Sequence, residues 1–205
     1  MKSATKFFAA SILVVAVCFL MIQCTDTQKS SEPKEMSHDD MVAHGKYLVT
    51  IASCNDCHSP KIFTQMGPMP DTTKLLSGSS ASGMPPLAID TNCLHNGYGY
   101  LGSADLTAWL GPWGISYTAN LTPDSATGIG AWTEANFMDA LRKGKHLGMD
   151  GGRMILPPMP WQFIGQMTDD DLKAVFAYLR SLPAISNKVP APVSPPDVMA
   201  MAMKK

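Results

Sequence analysis

The sequence has few charged residues, and those it has nearly balance. Asp, Glu, Lys and Arg make up 16% of its 205 residues, and the formal net charge is −1. Nucleic-acid-binding domains present a basic face to phosphates, so this composition argues against a nucleic-acid partner. Apolar residues make up 45% of the chain, with 16 Gly, 16 Pro and 15 Met. Such a mixture favours an apolar core connected by long loops.

Cysteine is also scarce, and its placement excludes a disulfide framework. Five cysteines are present. Cys54 and Cys57 are only three positions apart, and Cys93 is the single cysteine after them. A bridge between such close neighbours would constrain almost none of the chain, whereas disulfide-rich domains depend on several well-spaced pairs. The close pair must therefore serve another chemistry.

The longest apolar run is too short for a typical transmembrane helix. It extends from Phe7 to Ile22, which is 16 residues, and it follows two lysines. That length and basic start are typical of an export signal. Cys24 follows at the start of a polar stretch, as in bacterial lipoprotein signals, where the cysteine becomes acylated. We expect residues 1–23 to be a lipoprotein-type signal peptide with lipidation at Cys24. An uncleaved anchor, or ordinary cleavage with an incidental Cys24, are the alternatives.

Beyond this signal the chain divides by composition. Residues 24–37 are polar and predict a tether. Residues 38–183 predict one folded domain, and residues 184–205 a Pro-rich C-terminal tail. Within the domain, apolar stripes preceded by Ser or Thr caps predict three helices, and Gly- and Pro-rich stretches between them predict loops. We therefore predict an all-α fold. The helices are expected at residues 38–53, 133–143 and 169–181, and the loops at residues 59–131 and 144–167.

The first of these helices leads into Cys54-Asn55-Asp56-Cys57-His58. This CxxCH pentapeptide is the attachment signature of c-type haem. Each thiol forms a thioether to one porphyrin, and His58 supplies an axial imidazole to the iron. A zinc site would need about four ligands, and no second pair follows. A redox-active CxxC would be expected in a βαβ context, and here the surroundings are helix and loop. The export signal supports haem attachment.

A sixth ligand would decide what the iron does. Met159 lies in the sequence Leu156-Pro157-Pro158-Met159-Pro160, where prolines can hold a thioether in place at low entropic cost. Thioether ligation favours Fe(II) and raises the potential. Met69 and Met84 also neighbour prolines and are rivals. Alternative imidazole ligands are His38, His44, His95 and His146.

Several short motifs accompany the pentapeptide. They are Gly45-Lys46-Tyr47-Leu48, Asn120-Leu121-Thr122-Pro123-Asp124, Gly128-Ile129-Gly130, Trp132, Phe137, Leu141-Arg142-Lys143-Gly144, Met159-Pro160, Thr168-Asp169-Asp170-Asp171-Leu172 and Ala177-Tyr178-Leu179-Arg180-Ser181-Leu182-Pro183. With these motifs, the span from about 41 to 183 resembles a class I c-type cytochrome domain. It is similar to the monohaem domains of cytochrome subunits of membrane-bound dehydrogenases and of bacterial lipoprotein cytochromes.

That resemblance implies a cytochrome c-like fold around one covalently bound haem with its iron. It implies Met159 as the distal ligand, because the family's ligand is the methionine of the Met-Pro pair before the last helix. It also implies a close crossing of the first and last helices at Gly45, against Tyr178 or Phe176. The chain departs from the pattern in length, so that residues 62–116 are expected to form an enlarged loop. This loop would place Cys93, the tyrosines, Trp109 and Trp113 near the haem crevice or over a partner surface, without an assigned role.

The leading functional prediction is a non-enzymatic carrier of single electrons in a bacterial cell-envelope respiratory chain, on the periplasmic side of a membrane. Its partners would be redox proteins of that chain, and its lipid would hold it to the membrane. The alternative is a dedicated electron-transfer subunit of a membrane-associated dehydrogenase or oxidase. A haem peroxidase or sensor is the third possibility and would need an open distal site. Candidates for positions near the haem or its propionates are Tyr117, Asn120, Arg153 and Trp161.

Overall fold

The structure is a computed structural model, and it describes residues 36–80 and 99–203. The predicted signal peptide, Cys24 and all but the last two residues of the predicted tether lie outside these residues, as do Met84, Cys93 and His95. The described helices are α1 (His38–Ile51), α2 (Cys54–His58), α3 (Glu134–Lys143), α4 (Trp161–Ile164), α5 (Asp169–Ser181) and α6 (Pro195–Met203). The strands are β1 (Lys61–Thr64), β2 (Gly67–Pro70), β3 (Leu101–Gly102), β4 (Ala108–Gly111) and β5 (Gly114–Tyr117).

Helices α1 and α5 cross at close range. Both begin at side-chain caps, because Ser37 Oγ accepts from the Asp40 N–H at 3.2 Å and Thr168 Oγ1 from the Asp171 N–H at 3.1 Å. At the crossing, a Cβ on Gly45 would collide with the backbone carbonyl of Ala174 and with the Cβ of Tyr178. The predicted contact of Gly45 with Tyr178 is therefore confirmed.

Helix α3 completes the helical part of the core. Its start is a capping box, in which Thr133 and Asn136 each bond the other's backbone N–H. Its end is Gly144, whose φ of 65° suits a residue without a Cβ. The buried faces of α1, α3 and α5 form one cluster, which we call the helical core. Its main members are Leu48, Val49, Phe137, Leu141, Leu172, Val175 and Leu179.

The prediction of an all-α fold is wrong. Strands β1 and β2 form an antiparallel hairpin, and β3, β4 and β5 form an antiparallel three-stranded sheet. These strands lie in the stretch 59–131 that composition predicted to be loop. Each is two to four residues long, which is too short to show an alternating pattern. Their glycines and prolines also belong to tight turns, as between the paired Gly111 and Gly114.

The Pro-rich segment after α5 packs on this sheet. Val193 forms an antiparallel bridge with Ile115 of β5, with both backbone hydrogen bonds at 2.9 Å. Helix α6 then buries Val198 against Leu110 and Ile115 in a second apolar cluster. Asn187 donates its amide hydrogens to the carbonyls of Ser77 and Ser79. The sheet is thus covered on the face that carries Leu110 and Ile115.

Across the two described ranges, no helix combines the length and the apolar character needed to cross a bilayer.

Candidate haem site

The pentapeptide forms its own short helix. Ser53 adopts a left-handed conformation, with φ of 55° and ψ of 31°, and this turns the chain between α1 and α2. Cys54 and Cys57 are three positions apart on α2, so their thiols lie on one helical face. Both cysteines and His58 line one large cavity between the helical core and the three-stranded sheet. The arrangement suits a porphyrin that is attached at one edge and ligated from one side.

His58 is oriented by a partner far away in the sequence. Its Nδ1–H donates to the Ala119 carbonyl at 2.8 Å, which leaves Nε2 as the free ring nitrogen for the iron. Burial lowers the pKa of His58 and so favours the neutral imidazole that a metal requires. This acceptor follows β5, 61 positions after His58.

The two thiols are unlike those of a redox pair. Burial raises the pKa of Cys54 to about 11. Burial also raises the pKa of Cys57, although the nearby Lys61 charge opposes it. A redox-active CxxC gains its reactivity from a lowered thiol pKa, which is the opposite trend. In the described part of the chain, no three His, Cys, Asp or Glu side chains cluster as metal ligands. The direction of both thiol pKa shifts therefore does not fit a redox-active pair.

Met159, in the loop before α4, lines the same cavity. It is half-buried and packs against the helical core. Its loop is held on both sides: the Met159 carbonyl accepts the Trp161 N–H at 2.9 Å, and Ser116 Oγ donates to the Pro157 carbonyl at 2.6 Å. Pro157, Pro158 and Pro160 flank it, as the sequence suggested. The loop thus presents the thioether from a fixed backbone.

The rival ligands are placed differently. Met69 lies in β2 with 43% of its surface exposed and does not line the cavity. His38 and His44 do not line it either, and His44 Nε2 is 2.7 Å from Asp171 Oδ1. His146 is the described rival that does line the cavity, and burial lowers its pKa. Met84 and His95 lie outside the described residues.

The cavity fits a haem in its chemistry. Among the described residues that line it, no carboxylate occurs and Arg153 is the one guanidinium or ammonium group. Apolar side chains dominate the rest of the lining, as an apolar macrocycle requires. They include Val49, Leu121, Ile129, Phe137, Leu141 and Val175.

Of the four residues that the sequence suggested for contacts with the haem or its propionates, three line the cavity and one does not. Tyr117, Asn120 and Arg153 line the cavity, and Trp161 does not, since its ring packs against Gly144. Asn120 also has a structural task, because its amide donates to the Ile185 carbonyl at 2.8 Å.

Sequence reasoning missed two contributors from the sheet region. The Ala119 carbonyl orients His58, and Thr118 lines the cavity. The carbonyl had no sequence signal, since every residue offers one. Trp109 was expected near the haem crevice or over a partner surface, and it does line the cavity.

Comparisons with known proteins agree with this geometry. The family model described as Cytochrome c matches residues 42–183. The chain is 26% identical over 193 residues to the alcohol dehydrogenase (quinone) cytochrome c subunit of Gluconobacter oxydans, covering 93% of this chain and 30% of that protein. It is 28% identical over 197 residues to the fructose dehydrogenase cytochrome subunit of Gluconobacter japonicus, covering 92% and 32%.

A third relative is the gluconate 2-dehydrogenase cytochrome c subunit of Pantoea cypripedii. It is 27% identical over 144 residues, which cover 70% of this chain and 24% of that protein. The chain therefore spans about a third or less of the length of these relatives.

Proposed function

The chain belongs to the cytochrome c family, and from that premise we propose that it is a monohaem carrier of single electrons with His58 and Met159 as axial ligands. Membership of this family implies covalently bound haem c and electron transfer. Cys54 and Cys57 would hold the haem, and the chain contains one CxxCH. When bound, the haem supplies an iron that alternates between Fe(II) and Fe(III).

The protein's own residues would keep that iron closed to other ligands. The Ala119 carbonyl fixes the tautomer and plane of His58. The Pro157-Pro158-Met159-Pro160 loop brings Met159 to the wall of the same cavity, and Ser116 holds this loop at Pro157. The single observation that carries the proposal is that one apolar cavity is lined by both thiols, His58 and Met159. A six-coordinate iron suits electron transfer because little rearranges when its charge changes.

The test uses the haem-loaded protein produced with a bacterial haem-attachment system. A pyridine haemochrome assay should give one haem c per chain. A spectroelectrochemical titration should follow a one-electron Nernst curve, and hydrogen peroxide should not be turned over. Rapid peroxide turnover at an open iron would instead indicate a peroxidase and would contradict the carrier.

A second candidate function is a dedicated electron-transfer subunit of a membrane-associated dehydrogenase. The observation that favours it is that the three relatives carry names of dehydrogenase cytochrome subunits. Size-exclusion chromatography of solubilised native membranes, with detection of covalent haem, would distinguish the dedicated subunit from the general carrier. Co-elution with a dehydrogenase activity that reduces this haem would favour the subunit, whereas elution alone with exchange among several redox proteins would favour the general carrier.

We further propose export and lipid anchoring. Residues 1–23 would act as the signal peptide, Cys24 as the acylated residue and residues 24–37 as a tether. The support is the basic start, the 16-residue apolar run and the polar stretch after Cys24. The protein should partition into the detergent phase of Triton X-114 and incorporate labelled palmitate, and Cys24→Ser should abolish both. Equal labelling of the variant would overturn the anchor without affecting the haem site.

A further inference from the structure

One side chain from the C-terminal segment holds the buried turn around Gly78. Asn187 lies just beyond the span 42–183 that the family model matches. Its side-chain amide donates to the carbonyl of Ser77 at 2.7 Å and to that of Ser79 at 2.9 Å. Both serines are buried, and a buried carbonyl that loses its donor is costly. One amide therefore bonds the residues on both sides of Gly78.

The backbone of this turn contacts both partners of the hydrogen bond between His58 and Ala119. The Gly78 N–H donates to the His58 carbonyl at 2.8 Å. On the other side, a Cβ at Gly78 would come within 2.7 Å of the Ala119 carbonyl oxygen, and the φ of 79° also suits glycine. The Ser79 N–H then donates to the Thr118 carbonyl at 2.9 Å. A displacement of the turn would therefore move the imidazole and its acceptor relative to each other.

The backbone of Asn187 is held independently of this turn. Its N–H donates to Thr127 Oγ1 at 3.0 Å, and Thr127 Oγ1 donates in turn to Asp124 Oδ1 at 2.7 Å. Two residues earlier in the chain, the Ile185 N–H donates to Thr122 Oγ1 at 3.1 Å. The side-chain amide of Asn187 therefore extends from a fixed backbone, and it can determine where the turn lies.

The hydrogen bond at His58 Nδ1 sets how strongly the imidazole donates electrons to a metal at Nε2. A carbonyl acceptor on Nδ1–H makes the ring more basic, and a more basic ligand stabilises Fe(III) over Fe(II). A longer or bent hydrogen bond has less of this effect, because such bonds weaken steeply away from linearity. The distance of 2.8 Å to the Ala119 carbonyl is already short for an N–H···O bond, so a displacement of the acceptor would weaken it.

We propose that Asn187 is a positioning residue for the axial ligand His58. By holding the turn at 77–79, the Asn187 amide keeps the Ala119 carbonyl on His58 Nδ1 and so lowers the reduction potential of the iron. This inference rests on the haem attachment and the His58 ligation proposed above. The C-terminal segment, which lies beyond the span that the family model matches, then contributes to the potential.

The test compares haem-loaded wild type with Asn187→Ala, which removes both amide hydrogen bonds and leaves the backbone N–H at this position. Spectroelectrochemical titration measures the midpoint potential, and NMR of the reduced protein measures how fast the His58 Nδ1–H exchanges with solvent. The variant should shift the redox equilibrium several-fold towards Fe(II), and its ring proton should exchange several-fold faster. Gly78→Ala should shift both quantities further in the same direction, because its Cβ displaces the Ala119 carbonyl directly. If Asn187→Ala does not incorporate haem, Asn187→Ser, which can retain at most one of the two bonds, decides in its place.

A control variant, Val198→Ala, separates positioning from stability. Val198 is buried against Leu110 and Ile115, so its truncation loosens the same C-terminal segment without touching the Asn187 amide. Both variants should lower the free energy of unfolding, but Val198→Ala should keep the wild-type potential and ring-proton exchange. Wild-type values of both in haem-loaded Asn187→Ala, or an equal shift in Val198→Ala, would overturn the inference while leaving the proposed function intact. Absence of haem c in the wild type would instead overturn the proposed function itself.

Discussion

The two walls of the haem cavity are built by different forces. The helical wall, from α1, α3 and α5, is held by apolar packing around Leu172 and Leu179, both essentially fully buried. The sheet wall, from β4 through Asn120, contributes hydrogen bonds: the Ala119 carbonyl to His58 and the Ser116 hydroxyl to Pro157. Packing is strong but has little direction, whereas a hydrogen bond fixes an angle. The helical wall should thus determine the stability of the fold. The sheet wall should determine the geometry of the ligands.

Gly45→Ala should have the largest effect on stability and tests the helical wall. Its new Cβ would overlap the Ala174 carbonyl, so α1 and α5 must move apart. We expect a loss of about 3 kcal/mol in the free energy of unfolding, at the upper end for an overpacked core, measured by guanidinium denaturation. Gly99→Ala is the matched control, since no atom of the described residues lies within 4 Å of its added Cβ. Equal stability of the two variants would show that the crossing is not tight.

Ser116→Ala should have a smaller effect on stability and tests the sheet wall. It removes the 2.6 Å hydrogen bond to the Pro157 carbonyl and the acceptor of the Trp113 indole N–H, at a cost of about 2 kcal/mol. Because the Met159 loop loses an anchor, cyanide should displace the distal ligand of the oxidised protein several-fold faster. Ser181→Ala is the control, as Ser181 Oγ donates to the Tyr178 carbonyl at 2.7 Å on α5. If cyanide binds both variants at one rate, the sheet wall does not position the loop.

The hydrogen bond between His44 of α1 and Asp171 of α5 should contribute least to the free energy of unfolding. A hydrogen bond from the His44 side chain lowers the pKa of Asp171 below its ordinary value of 3.8, with help from Thr168. Since this pKa is depressed in the folded state, its stabilisation is present above that ordinary value and is lost as pH falls through the folded pKa. Asp171→Asn should cost less than about 1 kcal/mol at pH 7, because the pair is partly exposed.

Thermal denaturation of wild type and Asp171→Asn from pH 7 down to pH 2 measures this contribution. Their stabilities should converge as Asp171 becomes protonated. A constant difference across that range would mean that the substitution acts through packing or helix capping and not through the charge.

The helical wall could be predicted from the sequence. The expected helices at 133–143 and 169–181 agree with α3 and α5 to within a residue, because Thr133 and Thr168 cap them and apolar residues recur at helical spacing. The first helix ends two residues earlier than expected, at Ile51. Gly45 could be interpreted through the family resemblance, and its partner Tyr178 was among the two residues proposed.

The sheet wall could not be predicted in the same way. Strands of four residues or fewer show no period, and the glycines of β4 and β5 also occur in loops. The Ala119 carbonyl bonds His58 across 61 positions, and a backbone group carries no sequence signature. The placement of α6 depends on Val193 and Val198 meeting β5, which is a tertiary contact. Local patterns thus specify the helices, and long-range pairing specifies the ligand geometry.

Carbon monoxide binding to the reduced protein tests the proposed ligation most directly. In the proposed site, Met159 would be the second protein ligand of the haem iron beside His58. Reduced wild type should show no carbon monoxide difference spectrum, and Met159→Ala should show a strong one. Met154→Ala is the control, because Met154 is in the same region but does not line the cavity. Rapid carbon monoxide binding by wild type, or none by haem-loaded Met159→Ala, would contradict the claim.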